Sequence, residues 1–378
     1  MSEPATAAAI LTIDLDALAA NWRRLADRLA PGGTECAGVV KADGYGLGVA
    51  PVARTLHAEG CRTFYVAQAE EGVALRAALG PRRPAAVFVL AGLLPGTADR
   101  LAAHGLAPVL STPEQIAAWR ALPMETRAAM GRPALHLDTG MRRLGLTVAE
   151  AEALLADAAA LADLDPALVL THLACADEPG HPLNAEQHAL FGRLRARLPA
   201  VRASYANSSG IFLDGAPLFD QARPGVALYG GNPTPGRPNP MRPVVRLQAK
   251  VLQVRRIDAV ESVGYGATHR MAAGSRVATV GVGYADGWPR ALGNRGCGVL
   301  AGRRVPIVGR VSMDLTLFDV SRSPASEARP GAMIDLIGPD LPLDEVAASA
   351  GTISYEILTQ LGRRYGRVYV GGPAGAAA

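Results

Sequence analysis

Short apolar segments rich in β-forming residues alternate with segments of helical periodicity between residues 37 and 226, and this alternation constrains the fold most. The predicted strands are eight, at residues 37–41, 63–67, 86–90, 107–110, 134–138, 167–172, 202–206 and 221–226. The predicted helices include residues 69–79, 113–122, 148–161 and 185–198. Eight strand–helix units predict the α/β class and an N-terminal (β/α)8 barrel of the TIM type, whose active site lies at the carboxyl ends of the strands. A doubly wound sheet is the alternative.

A segment rich in proline and glycine, residues 230–243, interrupts this alternation and is typical of a linker between domains. Beyond it the pattern indicates mostly strands, at residues 244–257, 275–283, 305–311, 315–320 and 332–337, with helices at 343–350 and 352–361. We therefore expect a barrel over residues 14–236 and a mostly β domain over residues 237–378. The N-terminal strand within residues 1–13 is expected to join that second domain.

The composition excludes several classes of protein. Hydrophobic residues make up 49% of the chain and charged residues 19%, which supplies apolar material for packed cores and argues against disorder. The longest apolar stretch spans about ten residues, whereas a membrane span needs about 20. The first residues lack a basic segment before an apolar core, so no secretory signal is expected. The expected location is the cytoplasm, with no membrane partner.

The charges and cysteines narrow the choice further. The net charge is +4 and the basic residues are scattered, so a nucleic-acid partner is not expected. The four cysteines lie far apart in the sequence, which fits reduced thiols better than disulfides or a zinc site. His181 and His188 have no cysteine or carboxylate partner in the pattern, and we expect no metal site.

Only two of the 38 basic residues are lysines, Lys41 and Lys250. Arginine cannot replace lysine where a reaction needs an amine that loses its proton. Lys41 ends the first predicted strand, where apolar neighbours would lower its pKa and leave it nucleophilic for a Schiff base; a surface lysine is the alternative. Lys250 lies within a strand and is expected on its solvated face. The glycines that follow Lys41 match no nucleotide-binding motif.

Polar residues follow other predicted strands at the same end of the barrel. His172 ends the sixth strand, whereas the residues at the last two strands are Asn207, Ser208, Arg223, Gly225 and Val226. Loops after the last two strands of a barrel often hold a phosphate, a use that suits Ser208 and the backbone of the glycine. Each of these residues alone is more often structural. Together with a nucleophilic amine, however, a phosphate site indicates pyridoxal 5'-phosphate (PLP) as cofactor.

Eight motifs run in order through both predicted domains. They are Lys41-Ala42-Asp43-x-Tyr45-Gly46, Asp138-Thr139-Gly140-Met141-x-Arg143-Leu144-Gly145, Ala206-Asn207-Ser208, Arg223-Pro224-Gly225, Val263-Gly264-Tyr265-Gly266, Gly283-Tyr284-Ala285-Asp286-Gly287, Gly309-Arg310-Val311-Ser312-Met313-Asp314 and Ile353-Ser354-Tyr355-Glu356. These motifs closely resemble the alanine racemase family. The resemblance implies a PLP-dependent isomerase that interconverts L-alanine and D-alanine, supplies D-alanine for peptidoglycan, and works as a head-to-tail homodimer with shared active sites.

The resemblance also implies roles for individual residues. Lys41 holds PLP and acts as the base on one face of the substrate Cα, and Tyr265 of the partner subunit faces it from the other side. A phenol, with an ordinary pKa of about 10, needs help to act as a base, and His172 backed by Arg223 would supply it. Arg223 also faces the pyridine nitrogen. The other implied contacts are Tyr45, Asn207, Ser208, Gly225, Val226 and Tyr355 at the cofactor, and Arg143, Met313 and Tyr284 on the substrate side.

Three positions depart from the family pattern. His136 stands where many alanine racemases have a carbamylated lysine, Leu47 replaces a histidine, and Ser312 replaces a cysteine. A histidine cannot form a carbamate, so our hypothesis is that His136 orients Arg143 directly or through a small anion such as chloride. These departures bear on substrate breadth and rate more than on reaction type.

Three alternatives to alanine racemisation stay open. A broad-specificity amino-acid racemase could use the same fold. A decarboxylase of this fold is disfavoured, because Tyr265 is a second proton-transfer group that decarboxylation does not need. A PLP-carrying barrel protein without turnover is disfavoured by the second domain.

Overall fold

A closed ring of parallel strands forms the first domain of the computed structural model, which describes residues 6–198 and 200–373. The strands before the linker are β1 (Ala9–Asp14), β2 (Glu35–Cys36), β3 (Gly38–Val39), β4 (Thr63–Val66), β5 (Ala86–Val89), β6 (Ala107–Leu110), β7 (Ala134–His136), β8 (Leu168–Leu170), β9 (Arg202–Ser204) and β10 (Gln221–Ala222). Strands β3 to β10 pair in sequence order, and β10 pairs with β2. Since only Ala37 separates β2 from β3, these two segments count as one strand. The predicted (β/α)8 barrel is therefore confirmed.

Helices cover the outside of the ring, so strands such as β4 and β6 are buried on both faces. The helices before the linker are α1 (Leu15–Leu29), α2 (Lys41–Tyr45), α3 (Val49–Ala58), α4 (Ala69–Leu79), α5 (Ala98–Ala103), α6 (Pro113–Ala121), α7 (Met124–Met130), α8 (Val148–Ala156), α9 (Ala158–Leu164) and α10 (Pro182–Arg195). In the described part of the chain, no helix combines the length and apolar character that crossing a bilayer requires.

Several predicted element boundaries differ from those of the structure, among them the strand predicted at residues 305–311, which is observed as β16 at Arg303–Pro306. Two of the differences have local reasons. The helix predicted over residues 148–161 is divided at Asp157, whose carboxylate accepts a hydrogen bond from the Ala160 amide at 2.9 Å and caps α9. The first strand was predicted to include Lys41, but β3 ends at Val39 and Lys41 begins α2. Lys41 consequently lies in a turn beyond the strand.

The second domain is mostly β. Its elements are β11 (Val245–Arg256), β12 (Glu261–Val263), β13 (His269–Met271), β14 (Arg276–Val280), β15 (Cys297–Leu300), β16 (Arg303–Pro306), β17 (Thr316–Asp319), β18 (Met333–Ile337), β19 (Gly366–Val370), α11 (Leu343–Ala350) and α12 (Ser354–Gln360). The sheet runs β16-β15-β18-β11-β1-β19, with β14 and β17 continuing from β11. The short strands β12 and β13 form a separate hairpin.

The N-terminal strand β1 lies inside this second sheet. It pairs antiparallel with β11, Ala9 opposite Ala249, and parallel with β19, Ile10 opposite Gly366. Asp14 then caps α1, the first helix of the barrel, by accepting a hydrogen bond from the Ala17 amide. Residues 1–5, 199 and 374–378 of the predicted domains lie outside the described residues. The division of the chain at residue 236 stays a prediction.

Candidate active site

A cavity of about 550 Å³ opens at the carboxyl ends of the barrel strands. The residues from α11 to α12 close one side of it, so both domains contribute to its wall. Ten of the residues predicted from the sequence line this cavity: Lys41, Tyr45, Arg143, His172, Asn207, Ser208, Arg223, Gly225, Val226 and Tyr355. Side chains scattered over more than 300 positions of sequence thus converge on one space large enough for a cofactor and a small substrate.

The turn that carries Lys41 has an unusual backbone. Ala42, Asp43 and Tyr45 have φ values of 54°, 54° and 55°, all in the left-handed region. A left-handed conformation costs a residue with a Cβ about 1–2 kcal/mol, so three in one turn require support from their surroundings. Part of that support comes from the barrel itself. Glu71 accepts a hydrogen bond from the Ala42 amide at 2.8 Å, and Asp43 accepts one from the Val49 amide at 2.8 Å.

The Lys41 amine lies at the inner wall of the cavity in a partly buried position. Burial lowers its pKa, the positive charge of Arg143 lowers it further, and Glu71 opposes these two effects. An amine that loses its proton more easily than an exposed lysine is a better nucleophile toward an aldehyde and a better base.

A cradle for a phosphate lies in the same cavity. The Ser208 hydroxyl accepts hydrogen bonds from the amides of Gly225 and Ala227 at 2.9 and 3.3 Å, where the chain turns into a short 3-10 helix. The Tyr45 ring stacks on Tyr229 with 4.4 Å between centroids, and its hydroxyl lies so close to Gly225 that a Cβ there would collide with it. Hydroxyls and backbone amides around an open space are the groups that hold a phosphate.

Arg223, which is buried, and His172, which is half-buried, form a layer at the base of the cavity. The Arg223 guanidinium donates hydrogen bonds to the Ser204 hydroxyl and the Thr171 carbonyl, and it lies 5.9 Å from the centre of the Tyr65 ring. Burial lowers the pKa of His172 to about 3, and the charge of Arg223 contributes in the same direction. His172 is therefore a neutral imidazole near neutral pH, whose unprotonated ring nitrogen can accept a hydrogen bond.

His136 lies in the same layer, at the end of β7. Its Nδ1 is 3.3 Å from the Ser111 hydroxyl, and burial, with Arg223 next, lowers its pKa to about 4. Among the hydrogen bonds of the described residues, none joins His136 to Arg143. The hypothesis that His136 orients Arg143 directly thus has no hydrogen bond to support it, and the influence of His136 on Arg143 stays a prediction.

Two other predicted residues, Arg143 and Asn207, also line the cavity. Arg143 is exposed and reaches the cavity from the loop after β7. Asn207 bonds the backbone of two loops with its side chain, accepting from the Gly210 amide in its own loop at 2.9 Å and donating to the Leu173 carbonyl after β8 at 3.5 Å. Asn207 therefore shapes the loop of Ser208.

Three predicted site residues, Tyr265, Met313 and Tyr284, lie in the second domain outside the cavity that contains Lys41. All three are exposed, Tyr265 most of all at 73%, and Tyr265 sits at the tip of the hairpin that β12 and β13 form. Met313 and Tyr284 lie side by side, because the amides of Tyr284 and Ala285 donate to the carbonyls of Ser312 and Met313 at 3.0 and 2.9 Å. A single chain does not bring these side chains to Lys41.

Sequence reasoning missed Glu71, although it supports the turn of Lys41. One carboxylate oxygen of Glu71 accepts from the Ala42 amide, and the other accepts from the amides of Ala67 and Gln68 at the start of α4. The spacing of Gln68 and Glu71 before an apolar helix is typical of a capping box, and that signal could have singled out this carboxylate. Ser111, the partner of His136, has no comparable signal in the sequence.

The fold and the site together define a class of protein: barrel enzymes whose mouth joins a lysine amine to a phosphate cradle and so fits PLP. Comparisons with known proteins narrow the class. The model of the alanine racemase N-terminal domain matches residues 13–233, and that of the C-terminal domain matches residues 244–369.

Individual relatives agree over almost the whole chain. An alanine racemase of Rhodospirillum rubrum is 60% identical, covering 97% of this chain and 96% of the relative. A catabolic alanine racemase of Mesorhizobium japonicum is 50% identical over 97% of this chain and 95% of the relative. The structure of alanine racemase from Bartonella henselae with covalently bound pyridoxal phosphate superposes with a TM-score of 0.89 at 40% identity, over 96% of this chain and all of that one. The chain belongs to the alanine racemase family.

Proposed function

We propose that this chain interconverts L-alanine and D-alanine with PLP as cofactor, and that Lys41 and Tyr265 are the opposed groups that move the proton at the substrate Cα. The observation that carries the proposal is the cavity shared by Lys41, the phosphate cradle and the layer of Arg223 and His172. The relative from Bartonella henselae, which holds covalently bound pyridoxal phosphate, supports the cofactor. The D-alanine formed supplies peptidoglycan synthesis.

The cofactor fits the residues present. Ser208, the backbone of Gly225 and Val226, and the hydroxyls of Tyr45 and Tyr355 would hold its phosphate, and the Lys41 amine would hold its aldehyde carbon. PLP, when bound, supplies an electron sink that makes the Cα proton of an attached amino acid acidic.

Lys41 then serves as the first proton-transfer group. Its lowered pKa leaves more of the amine unprotonated near neutrality, so its Nζ can take a proton from one face of Cα or return one to it. Its place at the wall of the cavity would keep that nitrogen within reach of the reacting carbon of a bound substrate.

Tyr265 of the partner subunit is the second group. Inversion requires that the proton leave one face of Cα and return to the other, so a second side chain must lie opposite Lys41. Tyr265 is 73% exposed and lies outside the cavity of its own chain, and Met313 is 55% exposed. A head-to-tail homodimer would bury these side chains in the neighbouring cavity and complete both sites.

Arg223 and His172 set the electrostatics of the site. Arg223 is 6% exposed and stays protonated at any physiological pH, so facing the pyridine nitrogen it would keep that nitrogen unprotonated and limit side reactions such as transamination. His172, kept neutral by burial and by Arg223, is suited to share the proton of the Tyr265 hydroxyl.

The substrate side is formed by Arg143, Met313 and Tyr284. Arg143 would hold the substrate carboxylate and the phenolic oxygen of PLP, and the Met313 amide would donate to the same carboxylate. Tyr284 of the partner subunit would line the entrance to the completed site. The Bacillus anthracis relative, 28% identical with a TM-score of 0.83, is described with bound L-Ala-P, in agreement with an alanine-sized site.

Complementation between two inactive variants tests the shared site. Lys41→Ala and Tyr265→Ala, each inactive alone, are unfolded together and refolded so that subunits exchange. Random pairing makes about half of the dimers mixed, and each mixed dimer holds one site with both groups intact, so about a quarter of the wild-type activity should return. Native mass spectrometry confirms that mixed dimers form. If mixed dimers are present and inactive, the two groups do not meet across an interface.

A panel of amino acids tests the reaction. Purified protein should absorb as a PLP enzyme and convert L-alanine to the D form faster than serine or basic amino acids. Comparable turnover of those substrates would instead indicate a broad-specificity racemase. Release of carbon dioxide and ethylamine from L-alanine, with no D isomer formed, would indicate a decarboxylase, and cofactor absorbance without any turnover would indicate a carrier protein. A fluorescent fusion of the full chain tests the expected cytoplasmic location.

A further inference from the structure

The last strand of the second domain makes direct contacts with the turn that follows Lys41. Arg367 and Tyr369 stand two residues apart on β19, so their side chains point to the same face of the sheet. The Arg367 guanidinium donates to the Gly46 carbonyl at 2.7 Å, and the Tyr369 hydroxyl donates to the Leu47 carbonyl at 2.8 Å. Two consecutive carbonyls at the end of the left-handed turn are thus held by one strand of the other domain.

The turn that follows Lys41 is tightly packed against the second domain. Gly46 lies against the backbone of α12, so that a Cβ there would collide with the Leu358 carbonyl oxygen. A Cβ at Gly48 would collide with the Tyr369 hydroxyl. The second domain therefore packs onto the turn at backbone distance, and a shift of β19 would be transmitted to the turn.

Arg367 is itself fixed in place. Its second terminal nitrogen donates to the carbonyls of Leu361 and Gly362, at 3.2 and 3.3 Å, in the segment between α12 and β19. The guanidinium thereby joins the end of α12 to the Gly46 carbonyl. A planar group with several donors in fixed directions can do this, whereas a lysine ammonium offers one flexible point charge.

The turn needs such support. Ala42, Asp43 and Tyr45 are all left-handed, and Gly46 follows at a φ of 80°. The bonds from Glu71 and Asp43 support the start of the turn, from within the barrel. The bonds from β19 support its end, next to Tyr45, which lines the cavity and lies against the cradle at Gly225.

We propose that Arg367 and Tyr369 are positioning residues that hold the left-handed turn from the second domain, and thereby set how tightly the site binds PLP. This inference rests on the proposed roles of Lys41 and Tyr45 at the cofactor. Neither positioning residue touches the cavity; both act through the backbone of residues 46 and 47. The second domain thus contributes to cofactor binding within its own chain, besides offering Tyr265 to a partner.

Two measurements on full-length variants test this proposal. The first is the dissociation constant of PLP, measured from its absorbance on protein freed of cofactor and titrated with PLP. The second is hydrogen–deuterium exchange of the peptide spanning residues 41–52, measured without cofactor. Arg367→Ala should weaken PLP binding about tenfold or more, and Tyr369→Phe about threefold, because each removes one bond to the turn. Exchange in the peptide should become faster in both variants, and Arg367→Lys should restore part of the loss.

Asp16→Ala is the matched control. Asp16 in α1 accepts a hydrogen bond from the Gly372 amide at 2.8 Å, so it also joins the end of the second domain to the barrel, but it does not touch the turn. The control should leave both PLP affinity and exchange of residues 41–52 near the wild-type values. If Asp16→Ala lost as much PLP affinity and protection from exchange as the other variants, the proposal would be overturned. Arg367 and Tyr369 would then act only by joining the two domains, as Asp16 does.

Other outcomes separate this inference from the proposed function. If borohydride traps PLP on Lys41 in the wild type while Arg367→Ala binds PLP as tightly as the wild type, only the positioning role is wrong. If Arg367→Ala does not fold, Tyr369→Phe and Arg367→Lys decide, and unchanged affinity in both refutes the role. If the wild type itself traps no PLP on Lys41, the proposed function and this inference both fail.

Discussion

Replacing His136 by asparagine should flatten the dependence of stability on pH. An asparagine amide can keep the hydrogen bond to Ser111 but never takes up a proton. The folded protein lowers the pKa of His136 from an ordinary 6.5 to about 4, so the unfolded chain binds more protons here between these two values. The stability that the neutral imidazole contributes is fully present above pH 6.5 and is lost as the pH falls toward 4.

The size of the effect follows from the two pKa values. At pH 5 the unfolded imidazole is almost fully protonated and the folded one almost fully neutral, which lowers the free energy of unfolding by about 2 kcal/mol relative to pH 7.5. The pKa of His172 is lowered in the same way, but that residue is present in both proteins and most of its effect cancels in the comparison. The wild type should therefore lose about 2 kcal/mol more than His136→Asn over this interval.

Urea unfolding of the holoenzyme at pH 7.5 and pH 5, followed by tryptophan fluorescence, measures this difference. His104→Asn serves as the matched control, because His104 is exposed and lies beyond α5, at the end of the barrel away from the cavity. The control should follow the wild type at both pH values. Equal losses of stability in the wild type and in His136→Asn would refute the conclusion that His136 is a buried neutral base.

Three further predictions concern the active site directly. Lys41→Arg keeps a positive charge but cannot form a bond with an aldehyde, so borohydride treatment followed by mass spectrometry should find no PLP attached to the variant. Gly225→Ala should weaken PLP binding about tenfold or more, since its Cβ would collide with the Tyr45 hydroxyl, whereas Gly192→Ala, with open space around the new Cβ, should bind PLP normally in the same titration. Tyr265→Phe should lower kcat about 10²- to 10⁴-fold and leave the cofactor absorbance unchanged; a variant that lost its cofactor would contradict the separation of Tyr265 from the phosphate cradle.

Much of the barrel could be predicted because its signal is local. Strands buried on both faces are continuous apolar runs, and the helices between them carry their own periodicity and caps, as Thr147 with Glu150 shows at the start of α8. The second domain was harder. Strand β19 contains Arg367 and Tyr369, whose hydrogen-bond partners lie in a turn more than 300 residues earlier in the chain. The local sequence pattern of β19 therefore cannot reveal the role of these two residues.

The site was predictable to the extent that barrel topology brings strand ends together. That rule suffices to gather His172, Ser208 and Arg223 around Lys41. It does not reveal the left-handed turn, which exists because contacts from Glu71 and from the second domain hold it against an unfavourable backbone conformation. Nor does it reveal that His136 pairs with Ser111, since that contact depends on how two neighbouring strands are aligned.

The position of β1 has a consequence for the order in which the protein acquires its structure. This strand leaves the ribosome before any barrel residue, yet both of its neighbours, β11 and β19, are synthesised more than 200 residues later. During translation β1 must wait with unpaired edges while the barrel assembles behind it, and such edges are prone to pair wrongly. Severing the polypeptide at the linker would divide the second sheet between two fragments. The two modules are therefore interlocked by connectivity, and neither is a detachable unit.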